Sequence, residues 1–182
     1  MKRGKITCWF CQAVRYCGTK CKKQQRLKHE HWCKEITKEV EEVKARAEPL
    51  KAYKLPDNRI VNLFEDNLGM LPFNLFGNVD NPVYVYYSAR MDLIRTLKSV
   101  GSLNNSKIAY DIAAENYLDL MALSYNTSMR KEQLSDLMGM LIAAERDQDA
   151  YNYIQYYSGQ LGHSVEDQDI AEHQDIEDNQ EY

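Results

Sequence analysis

Cysteine does not recur after Cys33, proline is absent outside residues 49–82, and neither histidine nor cysteine occurs from residue 34 to 162. A Cys/His nucleophile pair is thereby excluded from the middle of the chain. The eight glycines are scattered, so no Gly-rich phosphate loop exists. No catalytic constellation emerges, and the chain is not expected to be an enzyme. No apolar run reaches the about 18 residues that mark a membrane span. The stretch Met1-Lys2-Arg3-Gly4-Lys5 is followed by no apolar segment, so no signal peptide is expected. A reducing compartment, cytoplasmic or nuclear, follows as the expectation.

Charge is unevenly spread. Residues 1–28 hold nine Lys/Arg and no acid, whereas residues 165–182 hold eight Asp/Glu and no base. The net charge of −4 therefore describes neither end.

What the chain has is a dense cysteine cluster. All five cysteines lie between Cys8 and Cys33. An odd count in a reducing compartment points to metal rather than disulfides. The series Cys8, Cys11, Cys17, Cys21, His29, Cys33 reads C-x2-C-x5-C-x3-C-x7-H-x3-C. A C-x2-C pair forms a tight knuckle whose two thiolates converge on one ion at about 2.3 Å. The C-x3-C and H-x3-C pairs put two ligands one helical turn apart on one side of a helix. Nearby lysines and arginines favour the thiolate.

Four segments separate by composition: 1–48, 49–82, 83–160 and 161–182. The first joins the Cys/His region to a helix, whose stripe is Ile36, Val40 and Val43 and whose start lies near Lys20. It is expected to be half exposed. The second, with Pro49, Pro56, Pro72 and Pro82, is a connector in which Ile60, Val61, Leu63 and Phe64 suit one short helix. Leu68, Met70, Leu71, Phe73, Leu75 and Phe76 read there as loop anchors.

The third segment is all-α. Tyr84, Tyr87, Met91, Ile94 and Leu97 step at helical spacing, as do Tyr110, Ala113, Tyr117 and Met121. Leu134, Leu137, Leu141 and Ala144 follow, then Ala150, Tyr153, Ile154 and Tyr157. Gly101-Ser102 and Asn104-Asn105-Ser106 mark one turn, and Asn126-Thr127-Ser128 another. Leu93, Ile94 and Leu97 echo in Leu137, Met138 and Leu141, the pattern of two helical hairpins. A plain four-helix packing is the alternative. The fourth segment, acidic and poor in aliphatics, is expected to be disordered.

The Cys/His series resembles the MYND-type zinc finger, most closely in Tyr16-Cys17-Gly18-Thr19-Lys20-Cys21 with His29 and Cys33 following. Such fingers carry four ligand pairs and two zinc ions, cross-braced first with third and second with fourth. Here the first Cys pair is missing, and Arg26 stands where the family commonly has Trp. The resemblance implies one complete zinc site, Cys8, Cys11, His29 and Cys33, and half of a second, Cys17 and Cys21. The pair Cys17/Cys21 is completed by upstream residues, stays without metal, or competes with Cys8/Cys11 for the zinc. His31 is a further stand-in ligand at the wrong spacing. Four protein ligands leave no open position for water, and no acid lies within residues 1–29, so the zinc is expected to be structural.

Arg146-Asp147-Gln148-Asp149-Ala150-Tyr151-Asn152-Tyr153-Ile154 resembles a segment of MYND-finger proteins of algae, oomycetes and fungi that carry a TPR-like helical domain. The resemblance implies an adaptor that binds a protein or a short peptide. Nothing resembling a SET methyltransferase domain follows the finger. A nucleic-acid-associated co-regulator gripping phosphates with the basic finger is the second expectation. Aromatic interleaving for base stacking is thin there, limited to Trp9, Phe10 and Tyr16.

Overall fold

Two short elements open the described chain: β1 (Ile6–Thr7) and β2 (Arg15–Tyr16), paired antiparallel with Ile6 opposite Tyr16 and Thr7 opposite Arg15. The knuckle between them closes when the Cys8 amide donates to the Val14 carbonyl at 2.9 Å and the Gln12 amide to the Cys8 carbonyl at 3.2 Å. Gln12 takes a left-handed conformation, φ 57°, at this bend. The structure is a computed structural model and describes residues 6–55, 57–66, 80–123 and 131–157. Residues Met1–Glu145 form one compact unit and Arg146–Tyr182 a second.

Helix α1 (Thr19–Ala47) runs from within the Cys/His region, as its stripe and start predicted. Ile36 is buried, while Val40 and Val43 are half-buried. Lys44 and Arg46 in the last turn suit the negative end of the helix dipole. Pro49 then ends it, because a proline ring collides with the carbonyl four residues back. The chain tightens into a 3-10 turn, Glu48–Ala52, whose Leu50 is buried.

The connector differs from expectation at Ile60. Ile60–Val61 is a strand (β4) paired with Tyr53–Lys54 (β3), not part of a helix. Local chemistry accounts for this. Asn58 accepts the left-handed turn conformation, φ 68°, and the Asp57 carboxylate accepts bonds from the Arg59 amide (3.1 Å) and Nε (2.6 Å). Ile60 and Val61 are β-branched and favour the extended chain beyond. Leu68, Met70, Leu71, Phe73, Leu75 and Phe76 lie outside the described residues.

Helix α2 (Pro82–Asn104) begins on a side-chain cap, with Asn81 Oδ1 accepting from the Val83 amide at 2.8 Å and Pro82 in the first turn. It ends at Asn105, φ 47°, where the Ser106 amide donates to the Gly101 carbonyl at 2.9 Å. Gly101 is therefore helical and not part of the turn. A Cβ there would stand 2.8 Å from the Tyr110 ring, so glycine is what lets α2 and α3 (Lys107–Leu123) close together.

Helix α2 packs against α1 on one side and α3 on another, and α3 packs against α4 (Lys131–Ala143). The interior is made by Ile36, Leu50, Ile94, Leu97, Val100, Leu137, Met140 and Leu141. Arg90 clamps α2 to α3: it donates to Tyr86 Oη at 2.6 Å and Asn116 Oδ1 at 3.1 Å, and pairs with Asp119. Lys98 Nζ reaches Asp136 of α4 at 2.9 Å.

In the second unit, residues 147–157 form helix α5, opened by an Arg146–Asp149 ion pair at 2.7 Å. Ala150 is buried; Tyr151, Ile154 and Tyr156 are exposed. The chain is thus mostly helical, with the Cys/His region near its start. The expected turn at Asn126-Thr127-Ser128 and the acidic end lie outside the described residues. Among the described residues no helix is long and apolar enough to cross a membrane.

Candidate metal centre

Two elements bring the candidate ligands together. The knuckle after β1 supplies Cys8 and Cys11, and one face of α1 supplies His29 and Cys33, a helical turn apart. The ligand atoms of Cys8, Cys11, His29 and Cys33 all lie within 4.8 Å of one another. Cys8 Sγ stands 3.6 Å from Cys33 Sγ, and Cys11 Sγ stands 3.6 Å from His29 Nε2. A tetrahedral ion with bonds of about 2.0–2.3 Å separates its ligands by about 3.5–3.8 Å, so the four residues fit such an ion.

Tyr16 is the floor of the site. It is buried, and its ring meets the His29 ring edge-on, centroids 5.8 Å apart. Burial raises the Tyr16 hydroxyl to about 12, helped by the nearby sulfurs of Cys8, Cys11 and Cys33. The thiols compete for one negative charge. Burial opposes the Cys8 thiolate, yet the Cys11 backbone, the His29 ring, the Phe10 backbone and Cys33 together hold it down at about 6. Burial pushes Cys11 up to about 12, and the charges of Cys8 and Cys33 push the same way. Burial and Cys8 also raise Cys33. Three crowded sulfurs that cannot all ionise are the donor set a divalent cation would relieve.

The remaining candidates fall elsewhere. Cys17 and Cys21 stand outside this group, Cys17 in the bend before α1 and Cys21 in its first turn, with Cα atoms 6.2 Å apart and their sulfurs joined to each other. Their spacing gave them to a half-formed metal pair. Among the described residues no third Cys, His or carboxylate gathers beside them. His31 points to solvent beside Glu35, 3.7 Å away, and does not join the cluster.

Sequence reasoning missed Ser106. This residue of the α2–α3 turn is buried, and its hydroxyl donates to the Ala13 carbonyl of the knuckle at 2.6 Å. Ala13 itself is fully buried. No pattern in the sequence announces a contact between residues 93 positions apart.

No family model, no curated protein and no solved structure matches the chain. What the chain carries is a Cys/His cluster able to hold a metal ion, set in a mostly helical protein.

Proposed function

We propose that Cys8, Cys11, His29 and Cys33 bind one zinc ion, and that the finger so formed is a MYND-like interaction module of an adaptor protein that takes a short peptide segment of a partner. The convergence of four ligand atoms within 4.8 Å carries the reading. Three thiolates and one imidazole are a donor set that suits zinc, and four protein ligands leave no place for a reacting water. Zinc would cross-link the knuckle to α1 and so stabilise a module with little core of its own. The helices behind it, in a TPR-like or plain bundle arrangement, serve as its support. A reducing compartment, cytoplasmic or nuclear, would keep the three thiols available as ligands and would also open the Cys17–Cys21 bond.

The test has two parts. Zinc content should be one per chain after exhaustive dialysis; two would bring Cys17 and Cys21, reduced, into a second site. An unbiased short-peptide array should give binders with the zinc-loaded chain and lose them with the chelated one.

A second reading, a nucleic-acid-associated co-regulator, draws on the exposed bases Lys20, Lys22, Lys23, Arg26 and Lys28 of α1. Oligonucleotide affinity falling steeply with salt, with no peptide binder found, would favour it.

A further inference from the structure

Two features of the finger are left over once the metal ligands are accounted for. The first is apolar. Trp9 and Phe10, between the ligands Cys8 and Cys11, are 87% and 76% exposed. Large rings in a small module belong in its core unless something else covers them. The β1–β2 knuckle instead buries Ala13, Val14 and Tyr16 and leaves the two rings in water.

The second is charge. Lys20, Lys22, Lys23, Arg26 and Lys28 crowd the first half of α1, and the first acid in the whole chain is Glu30. Among the described residues Lys20, Lys22, Lys23 and Lys28 make no ion pair, and Arg26 lies near one acid, Glu30. Arg15, opposite Thr7 in the β1–β2 pair, is exposed as well. Further along α1, Lys34 pairs with Glu30 at 3.0 Å and Arg46 with Glu42 at 2.7 Å, while Lys38 and Lys44 make no ion pair among the described residues.

Both features adjoin the candidate metal ligands. Lys22, Arg26, His29 and Cys33 follow one another at spacings of four, three and four, which is one face of the helix. The Cys8–Cys11 knuckle abuts that face, since Cys11 Sγ is 3.6 Å from His29 Nε2. Two exposed cations thus lie on the α1 face that carries His29 and Cys33, and two exposed rings lie in the knuckle that carries Cys8 and Cys11.

We propose that this face docks an acidic peptide segment of a partner protein, in which Asp or Glu residues flank one large apolar side chain. The apolar side chain lies on Trp9 and Phe10, and the carboxylates face Lys22 and Arg26. Rings supply the affinity and the bases set orientation and salt dependence, the usual division at a peptide interface. The proposal rests on the reading of the finger as a peptide-binding module and narrows its ligand. A nucleic acid fits less well. Only two adjacent exposed rings, Trp9 and Phe10, are offered for stacking.

The experiment uses the zinc-loaded full chain and fluorescence anisotropy. The probes are short labelled peptides with a single Phe, Leu, Ile or Trp flanked by Asp and Glu. Controls replace the acids by Asn and Gln, or the apolar residue by Ser. A neutral proline-containing set and a single-stranded oligonucleotide are run in parallel. The acidic–apolar set should bind. Affinity should fall about tenfold or more in Trp9→Ala and in Lys22→Glu/Arg26→Glu, a loss of about 1.4 kcal/mol per tenfold. Zinc content and helicity should stay unchanged in both variants. Equal binding by the acid-free controls, or full affinity in the double charge reversal, would overturn the proposal. So would tighter binding of the oligonucleotide. Binding that emerges only after residues 163–182 are removed would assign the face to the chain's own acidic end, and overturn it too. If the neutral proline-containing set binds while the acidic set does not, the peptide-binding reading stands and this inference alone falls. If no peptide binds, both fall.

Discussion

The hydroxyl of Ser106 donates to the carbonyl of Ala13 at 2.6 Å, which ties the α2–α3 turn to the knuckle that carries Cys8 and Cys11. The same oxygen stands 3.4 Å from the Ala109 amide and caps the start of α3. Ser106→Ala removes both roles and strands a buried carbonyl. A cost of about 1–3 kcal/mol is expected, read as a lower midpoint in urea at unchanged slope. Because Ala13 sits between two ligand pairs, the variant should also release zinc to a chelator faster than the parent chain.

Metal removal should act locally first. With Cys8 replaced by Ala, or with the chain chelated, the knuckle loses its cross-link to α1. Hydrogen exchange should then speed up at the amides of Cys8 and Gln12, which are bonded within the knuckle. Amides of α2 and α3 should stay protected, since Ile94, Leu97 and Val100 are buried without help from the metal. Simultaneous loss of protection in both regions would show that finger and helices melt as one.

Gly101 makes a sharper prediction. An exposed helical Gly→Ala change usually stabilises by about 1 kcal/mol. Here the new methyl would meet Tyr110 at 2.8 Å. Gly101→Ala is therefore expected to destabilise, by about 1–3 kcal/mol. The effect should shrink when combined with Tyr110→Ala, and full additivity in that double-mutant cycle would refute the contact.

Glu39 gives the pH dependence. Burial raises its pKa above the ordinary 4.5, Glu35 and Asp92 push the same way, and the Thr96 hydroxyl (2.8 Å) and Lys38 pull against them. Its other carboxylate oxygen is buried without a partner. A raised pKa means that the folded state binds the proton more tightly than the unfolded one. Stability from this group is then full in acid, below the unfolded value, and is lost as pH rises through the folded value. Glu39→Gln should raise Tm at neutral pH. The gain should vanish on acidification, and a gain that persists unchanged in acid would exclude this origin.

Local chemistry was legible in the sequence, and packing less so. The convergence of Cys8, Cys11, His29 and Cys33 was readable because residues able to hold one ion obey short, fixed spacings. The start of α1 near Lys20 and its half-exposed stripe were readable from periodicity. The α2 stripe was placed partly off: Ile94 and Leu97 are buried, but Tyr86 takes the place given to Tyr84 and Tyr87. Helix α2 has neighbours on two sides, α1 and α3, so its buried face is wider than one stripe. Gly101 read as a turn because glycine usually breaks helices; only the Tyr110 ring explains it within one. Trp9 and Phe10 gave no sign of being exposed, since aromatic residues beside metal ligands read equally well as core.

The link between Ser106 and Ala13 also imposes an order on biosynthesis. Every ligand of the metal cluster has left the peptidyl-transferase centre once residue 33 is made, whereas Ala13 must wait for Ser106. At about 5–20 residues per second that gap lasts on the order of ten seconds. During it the nascent knuckle has only the first turns of α1, and any ion its Cys/His cluster takes up, to hold it. A cell short of the ion would therefore expose Trp9 and Phe10 on an unfixed segment to ribosome-associated chaperones before the helices that brace it exist.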